Sequence, residues 1–287
     1  MEYLTIEGTS LILEGGTFRG VYTAGVLDYF LDENIMMPYI VAISAGAINA
    51  ASYVSKQKER TLRVFTNYRH DKRYIGKRNF LKERSLFGLD FSYNIVPNQL
   101  DLFDWDTYYK YQGVLKYGVT NAYTGEVEYM NGIELDKNCT MLRATCAIPV
   151  VFPEIKINDI PYYDGGLSEP VPIQQAIDEG YDKHIIVLTR PKGYRKEMDK
   201  KTQFVMRLLR KKYPKLVEAM EKRVEHYNRS MELCERLERE GKAIVFRPDE
   251  ALNSFEKDVE KMKESHQMGY NHAKNNEQKI KEFLYRR

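Results

Sequence analysis

Twice before Lys56 the chain runs a short apolar stretch into a cluster of very small residues and then directly into a helix-patterned segment. Ser10-Leu11-Ile12-Leu13 leads into Glu14-Gly15-Gly16-Thr17-Phe18-Arg19-Gly20, after which Val21, Ala24, Leu27 and Leu31 recur at spacings of three and four. Tyr39 to Ile43 leads into Ser44, and a helical stretch from Ala45 to Val54 starts at once. Two strand–helix units in succession predict parallel strands in a sheet covered by helices, an α/β fold. In such a sheet both breaks fall at the carboxyl edge, where ligands bind.

That constraint makes Val41-Ala42-Ile43-Ser44-Ala45-Gly46 the first candidate site. A strand, a sharp turn and a helix with serine at the turn is the geometry of a nucleophile elbow. Such a turn lifts the hydroxyl off the sheet end and aims the first helix amides at whatever the serine attacks. Small neighbours are required because the turn is tight. The usual pattern is Gly-x-Ser-x-Gly, and here Ala42 holds the first glycine position. A serine before a helix also serves as a plain N-cap. Gly15 and Gly16 let backbone approach a ligand closely and offer bare amides, which beside an acyl-transfer serine form an oxyanion hole. Read alone, they are a tight turn.

Composition narrows the function classes. The 287 residues make one large domain or two small ones, and without a repeat or clear linker they read as one. Its core runs from about 8 to 190, with a helical insertion at about 56–113 and a helical extension at about 191–287. The net charge of +3 gives no case for nucleic acid. A dinucleotide site is disfavoured because Thr17 stands at the second glycine of Gly-x-Gly-x-x-Gly, and there is no phosphate-loop lysine motif. Three cysteines, Cys139, Cys146 and Cys234, form no spaced framework and suggest reduced thiols in a cytoplasm. The start has neither the basic flank nor the apolar stretch of a secretory leader, and no run approaches a membrane span, so any membrane contact is expected to be peripheral.

Between the Ser44 helix and the next strand, Arg69, Lys72, Arg73, Lys77, Arg78, Lys82 and Arg84 interleave with Tyr74, Ile75, Phe80, Leu81, Leu86 and Phe87. The stretch reads as a solvated helical cover over the active edge, with an anionic membrane interface as the other reading. A strand at Tyr117 to Ala122, a return at Val127 to Met130, a short helix at Thr140 to Ala147 and a hairpin from Glu154 to Tyr163 turning at Asn158-Asp159 follow. The hairpin ends in Asp164-Gly165-Gly166, again a strand end before a helix. Asp-Gly usually marks only a turn, but an aspartate placed there could take the serine's proton. His184 to Thr189 reads as a strand. The tail carries stripes at Leu216, Met220, Val224, Tyr227, Met231 and Cys234 and at Phe255, Val259, Met262, His266, Gly269 and Ala273, with a strand at Ala243 to Phe246 between them. Basic Lys192 to Lys215 reads as a solvated face, with anionic lipid as the alternative.

A Ser–His–Asp triad needs a histidine at the active edge. His184 opens its strand at the opposite edge, His226 and His266 lie within helices, and His272 is near the tail end. Only His70, in the insertion, is not excluded by position. None of the histidines follows a strand and precedes a helix, and no metal-ligand spacing is present. The remaining arrangement is a dyad of Ser44 as nucleophile and Asp164 as base. A free aspartate, at pKa ~3.9, is a poor base for a hydroxyl, so such a dyad depends on the oxyanion hole.

These residues resemble the patatin-like phospholipase family. The resemblance rests on Glu14 to Gly20, on Ala42-Ile43-Ser44-Ala45-Gly46, on Asp164-Gly165-Gly166, and on Ala144-Thr145-Cys146-Ala147-Ile148-Pro149-Val150-Val151-Phe152-Pro153 ahead of the aspartate. It spans residues 10 to about 180, and the tail is similar to that of bacterial cytoplasmic members. It implies a three-layer α/β/α fold with a mostly parallel sheet, a Ser44–Asp164 dyad, and hydrolysis of acyl esters in phospholipids, lysophospholipids or neutral lipids without a cofactor. It also implies an oxyanion hole from Gly15, Gly16 and the Thr17 amide, with Arg19 as the basic residue there. Thr17 departs from the family's third glycine and is expected to narrow the hole while keeping its amide. Ala42 departs by one methyl. The competing readings are a silent lipid- or partner-binding adaptor and a soluble small-ester hydrolase.

Overall fold

The two apolar runs become neighbouring parallel strands at the centre of one sheet. The computed structural model describes residues 4–6 and 8–285, so part of the stretch read for a leader (Met1, Glu2, Tyr3, Glu7) and the last two residues of the extension lie outside the described residues. In chain order, β1 (Leu4–Thr5) is followed by β2 (Thr9–Leu13), α1 (Gly20–Asp32), β3 (Ile35–Met36), β4 (Tyr39–Ile43) and α2 (Ala45–Val54). β2 and β4 pair in parallel from Ser10 opposite Tyr39 to Leu13 opposite Ala42. All residues of both strands are buried. Layers on both faces explain the unbroken apolar pattern. Leu11, Leu13, Ile40 and Ala42 pack into the larger core with α1 and α2, while Ile12, Tyr39 and Val41 pack into a second core on the opposite face. That division is the two-residue period of a strand. Each such fully buried aliphatic side chain contributes about 1.5–3 kcal/mol.

The insertion holds α3 (Arg60–Asn67), α4 (Lys77–Glu83), a π-helical segment Phe91–Leu100 and α5 (Trp105–Tyr109). Then come β5 (Val114–Asn121), β6 (Val127–Asn131), α6 (Thr140–Thr145), β7 (Ile155–Ile157), β8 (Ile160–Asp164), α7 (Ile173–Asp178) and β9 (Lys183–Val187). α8 (Lys200–Leu209), α9 (Pro214–Arg239), β10 (Ala243–Phe246), α10 (Val259–Asn275) and α11 (Glu277–Tyr285) complete the chain. The sheet order is β10-β9-β2-β4-β5-β8-β7, with β6 also on β5. β10, β9, β2, β4 and β5 are mutually parallel. β6 and β8 run antiparallel to β5. The architecture is α/β with a mixed, mostly parallel sheet flanked by helices.

Two expectations about the tail and the insertion change. The closing helix excludes Phe255: it starts at Val259 because the Asp258 carboxylate caps the amides of Glu260 and Lys261. The insertion is a solvated cover only on its outer side, where Lys72, Arg73, Lys77, Arg78, Lys82 and Arg84 are exposed. Phe65, Tyr74, Phe87, Phe91, Tyr93, Val96 and Phe103 are buried in the main core. Arg60 and Arg69 are buried with them: the Arg69 guanidinium lies 4.8 Å from the Phe18 ring centroid and donates to the carbonyl of Glu256 at 2.5 Å. An arginine stem and planar head cover aromatic surface well, so Arg60 and Arg69 pack inward with the aromatic residues while the other basic residues of the pattern face solvent.

Candidate active site

Three breaks converge at the carboxyl end of the central strands. Leu13 lies opposite Ala42 and Val187, and Ile43 lies opposite Gly118. Val119, one residue further along β5, lies opposite Asp164. Asp164 therefore arrives differently from the other two candidates. It ends an antiparallel strand that enters from beyond the carboxyl edge and stops beside Ser44, whereas position after a strand in a parallel unit would have put it there by the usual rule.

Ser44 sits at the turn with φ 56° and ψ −125°, outside the regions a serine prefers. Such strain costs of order 1–3 kcal/mol and persists only where the surroundings enforce it. The Ser44 amide donates to Thr145 Oγ1 at 2.9 Å, and that hydroxyl donates to the Gly118 carbonyl at 2.6 Å. The Ser44 side chain does not cap α2; only its carbonyl joins the helix, accepting from Ala47 at 2.9 Å. Its hydroxyl instead lies on the Asp164 side, close enough to favour the ionised carboxylate. The plain N-cap alternative is thereby excluded.

Asp164 is buried and also accepts from the Gly166 amide at 2.8 Å. Burial raises its carboxyl above the ordinary 3.8, opposed by Ser44, the Gly166 amide and the Arg223 charge. A carboxyl with a raised pKa is better matched to a hydroxyl proton than one in water. Cys146 is also near Ser44, but burial, with the nearby Asp164 charge, pushes its thiol up to about 12, so it stays protonated.

The glycine turn completes the edge. A Cβ on Gly15 would lie 2.9 Å from Ser44 Cβ, so only glycine permits this approach. Among the described residues, no group accepts from the amides of Gly15, Gly16 or Thr17; the neighbouring Phe18 amide goes to Ser254 and the Arg19 amide to Gly16. Thr17 keeps its amide at φ 50°, a left-handed conformation that costs a β-branched residue roughly 1–2 kcal/mol and that glycine would adopt freely. Arg19 is tied to the wall rather than to the amides: its guanidinium donates to Thr189 Oγ1 at 3.3 Å and to Ser254 Oγ at 2.8 Å. Gly20 opens α1, Ala42 is buried in β4, Gly46 lies against the Leu13 carbonyl, and Gly165 packs on Gly118.

Ser44 and Thr17 line two cavities at once. One, of about 100 Å³, is apolar and runs under the insertion past Ile48, Phe65, Tyr93, Val96, Leu142 and Phe152. The other is an open cleft of about 1110 Å³ that also reaches Asp164, Arg190, Lys196 and Arg223. No histidine lines either. His70 is exposed; His184 takes a 2.8 Å bond with Ser10 in the core, and His266 faces Asp28 at 2.6 Å.

Several contributors were not singled out from sequence. Thr145 lies within the stretch ahead of the aspartate but has no signal of its own. Thr189, two residues past the paired part of β9, binds the Glu14 carboxylate through its amide at 2.6 Å and the Gly15 carbonyl through its hydroxyl at 2.9 Å. Arg223 on α9 donates to the Gly166 carbonyl. It was visible in principle, because it interrupts the apolar stripe between Met220 and Tyr227 at helical spacing. Lys196 is half-buried in the cleft, the exception in a stretch whose other lysines and arginines, from Lys192 to Lys215, are exposed as expected.

A family model described as patatin-like phospholipase matches residues 11–177, and a second, described as a domain of unknown function (DUF6363), matches residues 213–285. The chain is similar to the uncharacterized protein YjjU of Escherichia coli (strain K12), 25% identical over 196 residues that cover 63% of this chain and 52% of that protein. It is similar in structure to VipD from Legionella pneumophila, with a TM-score of 0.47 and 13% identity, covering 93% of this chain and 66% of that one. The chain thus spans about half the length of the curated relative and just under two thirds of the solved structure.

Proposed function

Because the chain belongs to the patatin-like phospholipase family, we propose that it is a lipid acyl hydrolase with Ser44 as nucleophile and Asp164 as its base. The observation that carries this reading is the Ser44 side chain, turned out of its capping position, beside Asp164 and lining both an apolar pocket and an open cleft. Ser44 Oγ attacks the ester carbonyl as Asp164 takes its proton. The unpaired amides of Gly15, Gly16 and Thr17 bind the oxyanion, where the loss of one donor costs about 2.7–4 kcal/mol. Asp164 returns the proton to the departing alcohol. It then draws one from the water that attacks the acyl-enzyme, which releases the fatty acid and restores the serine.

The acyl chain occupies the apolar pocket. Among the described residues no helix is long and apolar enough to cross a membrane. Substrate is met at a peripheral, anionic surface, a reading supported by Leu81 and Phe80, exposed on α4 among Lys77, Arg78 and Lys82.

A fluorophosphonate probe tests the assignment. Wild-type chain is labelled, Ser44→Ala is not, and Asp164→Asn is slowed by about 10²–10⁴-fold, the usual range for general acid–base catalysis. Equal labelling of wild type and Ser44→Ala would remove Ser44 as nucleophile. Labelling without turnover of any acyl ester would favour the adaptor, and turnover of short p-nitrophenyl esters but not of lipid vesicles would favour the small-ester hydrolase.

A further inference from the structure

The cleft beside Ser44 is more cationic than hydrolysis of an acyl ester needs. Six cationic side chains line it: Arg19, Arg190, Lys196, Lys200, Lys201 and Arg223. Three carboxylates face them, and each is engaged. Glu14 is held by the Thr189 amide and hydroxyl and by the Tyr227 hydroxyl at 3.2 Å. Asp199 caps α8 through Thr202, and Asp164 accepts from the Gly166 amide beside Ser44. Among the described residues, none of Arg190, Lys196 and Arg223 has a carboxylate within ion-pair distance. The cluster is held in place. Arg190 stacks on Tyr194 at 4.5 Å, and Arg223 donates to the Gly166 carbonyl. The Lys196 backbone is clamped by the Asn228 amide group, which accepts from its amide at 2.8 Å and donates to its carbonyl at 3.1 Å. Burial, then the charges of Arg223 and Arg190, depress the Lys196 ammonium to about 8, with the Asp199 carboxylate opposing them only in part.

We propose that Arg190, Lys196 and Arg223 form a binding site for a dianionic phosphate monoester on the head of an acyl amphiphile whose chain enters the pocket behind Ser44. The site pairs a surplus of cationic donors with a group that carries charge but no cation of its own. A zwitterionic head would bring a further positive charge into the same cluster. Two of the elements involved, Arg223 and the Asn228 clamp, come from α9, within the segment matched only as a domain of unknown function. That segment thereby acquires a part in substrate selection.

The proposal rests on the hydrolase reading for the orientation of the substrate, so binding is measured apart from turnover. Ser44→Ala protein is titrated by calorimetry with dodecyl phosphate, dodecylphosphocholine and inorganic phosphate, below micelle formation. Dodecyl phosphate is expected to bind at least about tenfold tighter than the zwitterionic head, the scale of one charge-assisted hydrogen bond. Adding Arg190→Met and Lys196→Met is expected to reduce that ratio to below about threefold, and Lys196→Gln alone gives an intermediate ratio should the double change perturb folding. Equal affinity for the two heads, or a ratio unchanged in the variants, overturns the site. Inorganic phosphate binding as tightly as dodecyl phosphate overturns the amphiphile and leaves a free-phosphate site. Turnover of acyl esters without a head preference defeats the phosphate site alone. A retained preference with no turnover of any ester defeats the hydrolase reading alone.

Discussion

At the scale of single residues, the site is an exchange between strain and solvation. Ser44 is held in an unfavourable turn so that its hydroxyl faces Asp164 rather than the helix amides. Asp164 is desolvated, which raises its carboxyl, while Ser44, the Gly166 amide and the Arg223 charge oppose that rise. The kcat/KM profile should therefore show an acid limb above the ordinary carboxylate 3.8, because the base is lost by protonation at a raised pKa. Arg223→Met should move that limb to higher pH, and Arg223→Lys should largely restore it. An unmoved limb in Arg223→Met would show that the arginine acts only on structure. A second titration belongs to the core. Burial depresses His184 to about 4, below its ordinary 6.5, beside Ser10. The folded state holds it neutral while the unfolded chain takes a proton below pH 6.5. Stability is thus lost as pH falls from about 6.5 to about 4, by up to about 3 kcal/mol. Urea midpoints for His184→Asn should be flatter across that window than those of wild type.

At the scale of elements, the sheet brings the strand ends together and the helices hold them there. α1 follows the glycine turn closely, so its position sets the amides of Gly15, Gly16 and Thr17 proposed to bind the oxyanion. It is fixed by α10 at unusually short range. A Cβ on Gly25 would lie 1.9 Å from the His266 carbonyl, and one on Gly269 would lie 2.1 Å from the Tyr22 carbonyl. The buried Asp28–His266 pair, at 2.6 Å, locks the same crossing. Gly25→Ala and Gly269→Ala should each force the helices apart and destabilise by about 1–3 kcal/mol or more, as overpacking does. Thermal melts check this, and a variant as stable as wild type would show that the crossing slides without cost. The sequence had offered Gly269 only as one member of a helical stripe. Its reason, contact with another backbone, lies in a partner helix some 240 residues away in the chain.

At the scale of the whole molecule, Ser44 lies where an apolar pocket roofed by the insertion meets a cationic cleft walled by the C-terminal segment. The pocket is narrow, so its depth should select chain length. Leu142→Phe, which adds volume to its wall, should lower the rate on dodecanoyl relative to butanoyl p-nitrophenyl esters by about tenfold, the effect of one to two methylenes of apolar contact. A constant ratio would place the acyl chain elsewhere. The rim bears exposed Val150, Phe204 and Phe255, and Leu86 ties the segment after α4 to Val151 beside them. Leu81→Asp with Phe204→Asp should reduce sedimentation with anionic vesicles at least about threefold, since each removes an apolar anchor of roughly 1–2 kcal/mol.

What the sequence determined by itself is what local physics encodes. The apolar runs of β2 and β4, the small residues after them and the helices that follow specify a parallel pair and an exposed carboxyl edge, because strand period, turn sterics and helix period all act within a few residues. Ser44, Gly15, Gly16 and Asp164 were legible on those terms. The tertiary structure decided the rest. It brought Asp164 to Ser44 by an antiparallel strand and turned the aromatic side of the insertion inward as the wall of an apolar pocket. It set Thr145, Thr189, Lys196 and Arg223 around the edge from segments that carry no shared local pattern. Charge and hydrophobicity along the chain describe what a residue can do, but whether an arginine is solvated, stacked on a ring or aimed at a carboxylate depends on which distant element packs against it.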